Sequence, residues 1–223
     1  MSVGDFLALC GEILLLVITV FTCIDLARVR DRARIDIALV FVALAIDVIL
    51  RLLPRLGVDP GLLSLVQPLA RLAHPYLLLR LVDHFRPIRG LVSWGALVLV
   101  AAAWGFLLFA PEVTVTSWEW AVTAVFALLT LYSAGALASA AERGQSVIQR
   151  RMKLIAGGAL VFAVLLAAQV TAALIDSLAS TAAEINRVGP LVMAALYYFG
   201  FTTPVWLSRA WQHAELSDFK LNL

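Results

Sequence analysis

Apolar residues follow one another along this chain in long runs, separated by short polar connections. Seven runs come close to the length of about 20 residues that a membrane-spanning helix needs. They cover residues 6–26, 35–53, 62–82, 91–110, 118–140, 154–175 and 188–207. The pattern predicts an all-α membrane protein, built as a bundle of seven transmembrane helices.

The composition indicates the same class of protein. Hydrophobic residues make up 62% of the 223 residues and charged residues only 14%, against about a quarter charged in an average soluble domain. The seven runs use nearly the whole chain and leave no room for a separate soluble catalytic domain. We therefore assign residues 1–207 to one membrane domain and residues 208–223 to a cytoplasmic juxtamembrane helix, which also touches the lipid surface.

Basic residues are distributed unequally between the two ends of the predicted bundle. Thirteen of the 17 Lys and Arg residues fall in the tail and in the connections after the first, third and fifth spans. The positive-inside rule places these connections in the cytoplasm, with the N-terminus outside and the C-terminus inside. Because topology explains the positive charge, we expect no nucleic acid as a partner.

Polar side chains interrupt the third run on one side of its helix. Gln67, Arg71 and His74 recur at i, i+4 and i+7 and so share one helical face. An arginine at this depth needs a carboxylate, a backbone carbonyl or water, because an unpaired charge there costs about 3 kcal/mol or more. Glu12 of the first span and Asp47 of the second lie at a similar depth and are the expected acids.

Two interpretations of this polar centre stay open. In the structural one, Asp47 pairs with Arg51, four residues on in the same helix, while Glu12 pairs with Arg71, and the pairs hold the bundle together. In the functional one, an outward-opening cavity binds a small ligand, with the arginines attracting its anionic group. The residues assigned to this cluster are Glu12, Asp47, Arg51, Gln67, Arg71, His74, Gln169 and Tyr197.

His74 is expected at the floor of that cavity, and a proton or ion path through Glu12, Asp47 and His74 is a third possibility. No two histidines form an i, i+4 pair, so we predict no metal or haem site. The only lysines, Lys153 and Lys220, lie at cytoplasmic edges, which argues against a retinal Schiff base. Hydrolase, metalloprotease and phosphate-loop motifs are missing, so we expect neither an enzyme nor a cofactor.

Two stretches resemble a known family. PYLLLRLVDHF at residues 75–85 and FGFTTPVWLSRAWQ at residues 199–212 are similar to the seven-helix N-terminal sensor region of bacterial membrane histidine kinases. Thr202, Thr203 and Pro204 stand where that family has a double proline. The resemblance implies a sensory module of a two-component system in the bacterial inner membrane. It also implies a cytoplasmic signalling domain or partner protein that lies outside this chain.

Prolines and the last span suggest how a signal would leave the bundle. A ligand that favours one arrangement of the spans bent at Pro68, Pro75 and Pro204 would shift the helix that carries Trp206 and Trp211. The module could act as a homodimer. The alternatives are a small transporter or proton-coupled permease, and a structural subunit that packs in a larger membrane complex.

Overall fold

The computed structural model describes residues 3–59, 61, 63, 66–109, 116–142 and 146–202. Within these residues the chain forms helices and no strand, which confirms the all-α prediction. The α-helices are α1 (Val3–Arg28), α2 (Arg32–Arg55), α3 (Val66–Asp83), α4 (Gly90–Phe109), α5 (Thr116–Ala141), α6 (Ser146–Leu174) and α7 (Ala179–Tyr197). A 3₁₀ turn at Asp176–Leu178 precedes α7, and a π-helical turn at Tyr198–Thr202 follows it.

Five helices of the described chain are long and apolar enough to cross a membrane, namely α1, α2, α4, α5 and α6. This confirms a multi-pass membrane protein. The described parts of the runs at residues 62–82 and 188–207 are also helical, but α3 and α7 are more polar than the other five. Helix α3 carries Arg71, Arg80 and Asp83, and the first turns of α7 contain Glu184 and Arg187.

Two helices begin well before the apolar runs that predicted them. Helix α6 begins at Ser146, so Arg150, Arg151 and Lys153 lie on its first turns and not in a connecting loop. Helix α7 begins at Ala179 and includes most of a stretch that reads as a polar loop. The reason is that apolar runs mark only the part of a helix that contacts hydrocarbon or core, while backbone hydrogen bonds continue past it.

Six helices pack as a closed ring in the order α1, α2, α3, α5, α6 and α7, with α7 returning to α1. Helix α4 packs on α3 outside this ring and buries only Ala96, Val100 and Ala103. We call the end of the ring at the α2–α3 and α6–α7 connections the Arg55 end. The opposite end, at the α1–α2 and α3–α4 connections, is the Arg34 end.

Glycines bring α7 close to its neighbours. A Cβ atom added at Gly11 of α1 would lie 2.7 Å from the backbone nitrogen of Leu191. A Cβ added at Gly158 of α6 would lie 2.6 Å from the ring of Tyr197. Small residues at crossings allow helices in membranes to approach each other at backbone distance. Helix α7 is therefore built into the ring despite its polar first turns.

The prolines assigned to signal transfer differ in their settings. Helix α3 is continuous from Val66 to Asp83, and Pro75 is the proline in its interior. Pro68 stands in the first turn, where a proline removes no bond within the helix. Of the two bends predicted in this helix, only the one at Pro75 therefore removes a hydrogen bond within the helix. Pro204, Trp206 and Trp211 lie outside the described residues, as does the predicted juxtamembrane helix at residues 208–223.

Replacing Gly11 by alanine should destabilise the protein, because the new methyl group meets backbone atoms of Leu191 that cannot rotate away. We expect a loss of about 1–3 kcal/mol in the free energy of unfolding, measured by titrating micelles of the protein with sodium dodecyl sulfate. Gly105→Ala is the control, since nothing lies within 4 Å of that position. Alanine there should be neutral or stabilising by about 1 kcal/mol, and equal losses for both variants would contradict the close crossing.

Candidate functional site

Asp47 is the centre of a polar cluster between α2 and α3, and its side chain is only 11% exposed. Its Oδ1 accepts hydrogen bonds from Nε and Nη2 of Arg71 at 3.2 and 2.9 Å. The same oxygen accepts a bond from Nε2 of Gln67 at 3.2 Å. Its Oδ2 lies 2.9 Å from Nη2 of Arg51. One buried carboxylate thus binds two guanidinium groups and an amide.

Helical spacing explains why these side chains meet. Arg51 follows Asp47 by one turn of α2, and Arg71 follows Gln67 by one turn of α3, so each pair projects from one face of its helix. The predicted pairing of Asp47 with Arg51 is confirmed. With one acid and two bases, the cluster carries a net charge of +1.

Glu12 of α1 binds an arginine other than the one expected. Its Oε2 lies 3.1 Å from Nη1 of Arg55, in the last turn of α2. The expected pair of Glu12 with Arg71 does not form, because Asp47 on the adjacent helix holds Arg71. The spacing of residues 47, 51 and 55 was the overlooked signal. It places Arg55 on the same side of α2 as the cluster, one turn nearer the Arg55 end.

Two cavities border these ion pairs. The inner cavity has a volume of about 130 Å³, and its lining includes Asp47, Arg51, Arg71 and Gln169. The outer cavity, at the Arg55 end, has a volume of about 780 Å³, and its lining includes Asp5, Glu12, Arg51, Arg55 and Arg187. Both cavities are lined by Arg51, Asn186 and Pro190. These three residues therefore form the wall that the cavities share.

The excess positive charge is local to the cluster of Asp47, Arg51 and Arg71, because the two cavities together are bordered by four acids, Asp5 included, and four arginines. Glu12 is paired with Arg55, and Arg187 is paired with Glu184 on its own helix at 2.6 Å. Arg51 and Arg71 share Asp47, and within the described chain their remaining N–H groups have no other acceptor. A guanidinium group has five N–H donors, so each of these arginines can also bind an anion. The inner cavity, which both arginines line, is suited to a carboxylate or phosphate group.

His74 and Tyr197 do not join this cluster. His74 is fully buried against Phe162, with ring centroids 4.4 Å apart, and neither ring nitrogen has a partner among the described residues. Phe162 lines the inner cavity whereas His74 does not, so His74 lies behind the cavity wall and not at its floor. Tyr197 packs in an aromatic group with Phe41 and Phe201. Tyr197 lines neither cavity, because it lies two turns beyond Pro190 toward the Arg34 end.

A second cluster at the Arg34 end escaped the sequence reasoning. Asp36 of α2 is 1% exposed, and its Oδ1 lies 3.0 Å from Nε of Arg80. Its Oδ2 lies 2.7 Å from Nε2 of His84. Asp36 precedes Asp47 by three helical turns on the same face of α2, and Arg80 and His84 are spaced i, i+4. A second buried acid of α2 thus joins it to α3, here by an ion pair to Arg80 without hydrogen-bond geometry and by a hydrogen bond to His84, just after the end of α3.

Arg151 also has a role that its position in the sequence does not indicate. Its Nε and Nη2 donate hydrogen bonds to the carbonyl oxygens of Gly200 and Phe201, both at 3.0 Å. These carbonyls belong to the π-helical turn that follows α7. Arg151 therefore fastens the end of α7 to α6.

Comparison of the chain with models of known families, with curated proteins and with solved structures found no match. Among the described residues, no group of three or more His, Cys, Asp and Glu side chains is placed to hold a metal ion. The site is consequently interpreted from its own geometry, which brings Asp47, Arg51 and Arg71 to the inner cavity and shares Arg51 with the outer one.

Proposed function

We propose that this chain is a sensory or receptor module of a membrane, which binds a small anionic ligand in the two cavities at the Arg55 end. The observation that carries this proposal is the excess of positive charge in the lining of the inner cavity, where Arg51 and Arg71 share the single carboxylate of Asp47. A ligand carboxylate or phosphate would supply the second negative charge. It would accept N–H donors that the described chain leaves without acceptors.

In this proposal α3 and α7 also cross the membrane, which gives seven spans. Both helices are members of the packed ring. The charged face of α3 meets Asp47 and Asp36 of α2, which removes the cost of placing its arginines toward lipid. Gly11 of α1 and Gly158 of α6 allow α7 to pack closely against both of these helices. Neither helix needs to be apolar all round, because each exposes only part of its surface.

The sidedness in this proposal follows from the basic residues. The Arg34 end, with most of the arginines, faces the cytoplasm, and the Arg55 end with its cavities faces outward. The resemblance of residues 75–85 and 199–212 to histidine kinase sensor regions adds a bacterial inner membrane and a two-component output. The cavity would then sample molecules outside the cytoplasm.

Helix α7 offers the route by which binding would be reported. Pro190 and Met193 line the inner cavity, and the same helix ends in the turn that Arg151 holds. A ligand that prefers one position of α7 would move this turn, and with it the segment that follows. In this proposal residues 203–223, which lie outside the described residues, connect the turn to the cytoplasmic partner.

The two alternatives have less support. Proton or ion transport needs acids that change partners, whereas Glu12 and Asp47 are each held by arginine. A purely structural subunit has no use for cavities beside a cluster that carries an extra positive charge. Anion binding accounts for the cavities and for the charge together.

Benzoate, its neutral isostere benzamide and the cation benzylammonium provide a direct test by saturation-transfer nuclear magnetic resonance. We expect benzoate to bind at least about tenfold more tightly than the other two, because each hydrogen bond to a charged group is worth about 1.5–3 kcal/mol. Arg71→Gln should abolish this preference. The variant should still fold, because Asp47 keeps its bond to Arg51.

Lys153→Gln is the matched control, because it removes one positive charge from α6, on a residue that lines neither cavity. It should keep the preference for benzoate. Similar binding of all three compounds by the unmodified protein would refute the proposal, as would an unchanged preference in Arg71→Gln.

Sidedness can be tested by cysteine labelling in intact bacterial cells, after the natural Cys10 and Cys23 are replaced by alanine. Val58 and Val29 are both exposed and lie in connections at opposite ends of the ring. A membrane-impermeant maleimide should label Val58→Cys in intact cells and Val29→Cys only after permeabilisation. The reverse pattern would place the cavities on the cytoplasmic side and contradict an outward-facing site.

A further inference from the structure

A third cavity lies at the Arg34 end, away from the site described above. Its volume is about 340 Å³, and it lies between α1, α2 and the π-helical turn that follows α7. One part of its lining is apolar and the other part is charged. The apolar part consists of Phe21, Ile24, Ile37 and Phe201, and the charged part consists of Asp25, Arg28 and Arg34.

The charged part has an excess of positive charge. Nη1 of Arg34 lies 3.0 Å from Oδ1 of Asp25, so these two side chains neutralise each other. Arg28 has no acceptor within the described chain and is exposed at the end of α1. The cavity therefore offers one guanidinium group whose donors are available for a negatively charged partner.

The apolar part faces the surface that the membrane covers. Phe21 and Ile24 are exposed, and α1 is one of the apolar helices long enough to cross the bilayer. Their exposed sides line the cavity one to two turns before Arg28. A molecule that fits both parts has a hydrocarbon chain at membrane depth and an anionic group at the helix end.

We propose that this cavity binds one anionic phospholipid, with its phosphate on Arg28 and an acyl chain over Phe21 and Ile24. The bilayer supplies this ligand at high local concentration, and an anionic lipid matches the single unpaired positive charge. Free phosphate shares the chemistry of the headgroup but leaves the apolar wall uncovered. The site does not depend on anion binding at the Arg55 end.

The position of the site gives the lipid a contact with two parts of the ring. Phe201 and Thr202 of the π-helical turn contribute to the lining together with α1 and α2. The bound lipid would therefore touch the same turn that Arg151 fastens to α6. Lipid occupancy and the position of the end of α7 are expected to be linked.

Native mass spectrometry of the purified full chain tests the proposal. The protein is released from micelles that contain equal amounts of phosphatidylglycerol and phosphatidylcholine, and the bound lipid is counted. We expect one phosphatidylglycerol on the unmodified chain. Arg28→Gln should reduce its retention about fivefold. Arg30→Gln is the control, because Arg30 is exposed in the connection that follows Arg28 but does not line the cavity. It should retain the lipid.

A second pair of variants tests the apolar part. Ile24→Trp narrows the cavity and should lower retention, whereas Ile13→Trp, at another exposed position of α1, should not. Equal losses for Arg28→Gln and Arg30→Gln would show a general basic surface and overturn the proposal. Displacement of the lipid by glycerol 1-phosphate would also overturn it, in favour of a soluble anion, as would full retention by Ile24→Trp.

Discussion

One buried carboxylate shared by two arginines constrains the arrangement of the whole ring. Asp47 cannot remain charged in an apolar interior without a cation, and Arg71 cannot remain there without an acid. Helix α3 must therefore turn its polar face toward α2. Asp36 imposes the same condition at the other end through Arg80 and His84. Two acids on one face of α2 thus fix both the rotation and the register of α3.

The rest of the architecture follows from this arrangement and from close packing on the other side of the ring. Gly11, Gly158 and Gly189 admit α7 so closely that a Cβ at each would collide with a neighbour. This packing brings Pro190 and Met193 to the cavity next to Asp47. Because Asp47 holds two cations, the cluster of Asp47, Arg51 and Arg71 keeps one positive charge in excess. The fold and the proposed ligand chemistry therefore depend on the same side chain.

Sequence patterns predicted the helices well and the partners of charged residues only in part. Apolar runs located every α-helix of the described chain, and the i, i+4 spacing predicted the Asp47–Arg51 pair. The depth of Glu12 in the membrane could not decide whether it pairs with Arg55 or Arg71, because either arginine would neutralise its charge. The order of the helices in the ring decides which arginine is adjacent. The same limit applies to Tyr197, which was assigned to the polar cluster although its ring packs with Phe41. Asp36 and Arg151 read as surface charges until their partners are known.

A double-mutant cycle on Asp47 and Arg71 tests the central claim most directly. The free energies of unfolding of Asp47→Asn, Arg71→Gln and the double variant should show a coupling of about 1–3 kcal/mol. The same cycle on Glu12 and Arg55 is the comparison. Because Arg55 is more exposed than Arg71 and makes one hydrogen bond to its acid where Arg71 makes two, its coupling should be the smaller of the two. Additive effects of the Asp47 and Arg71 substitutions would contradict the account.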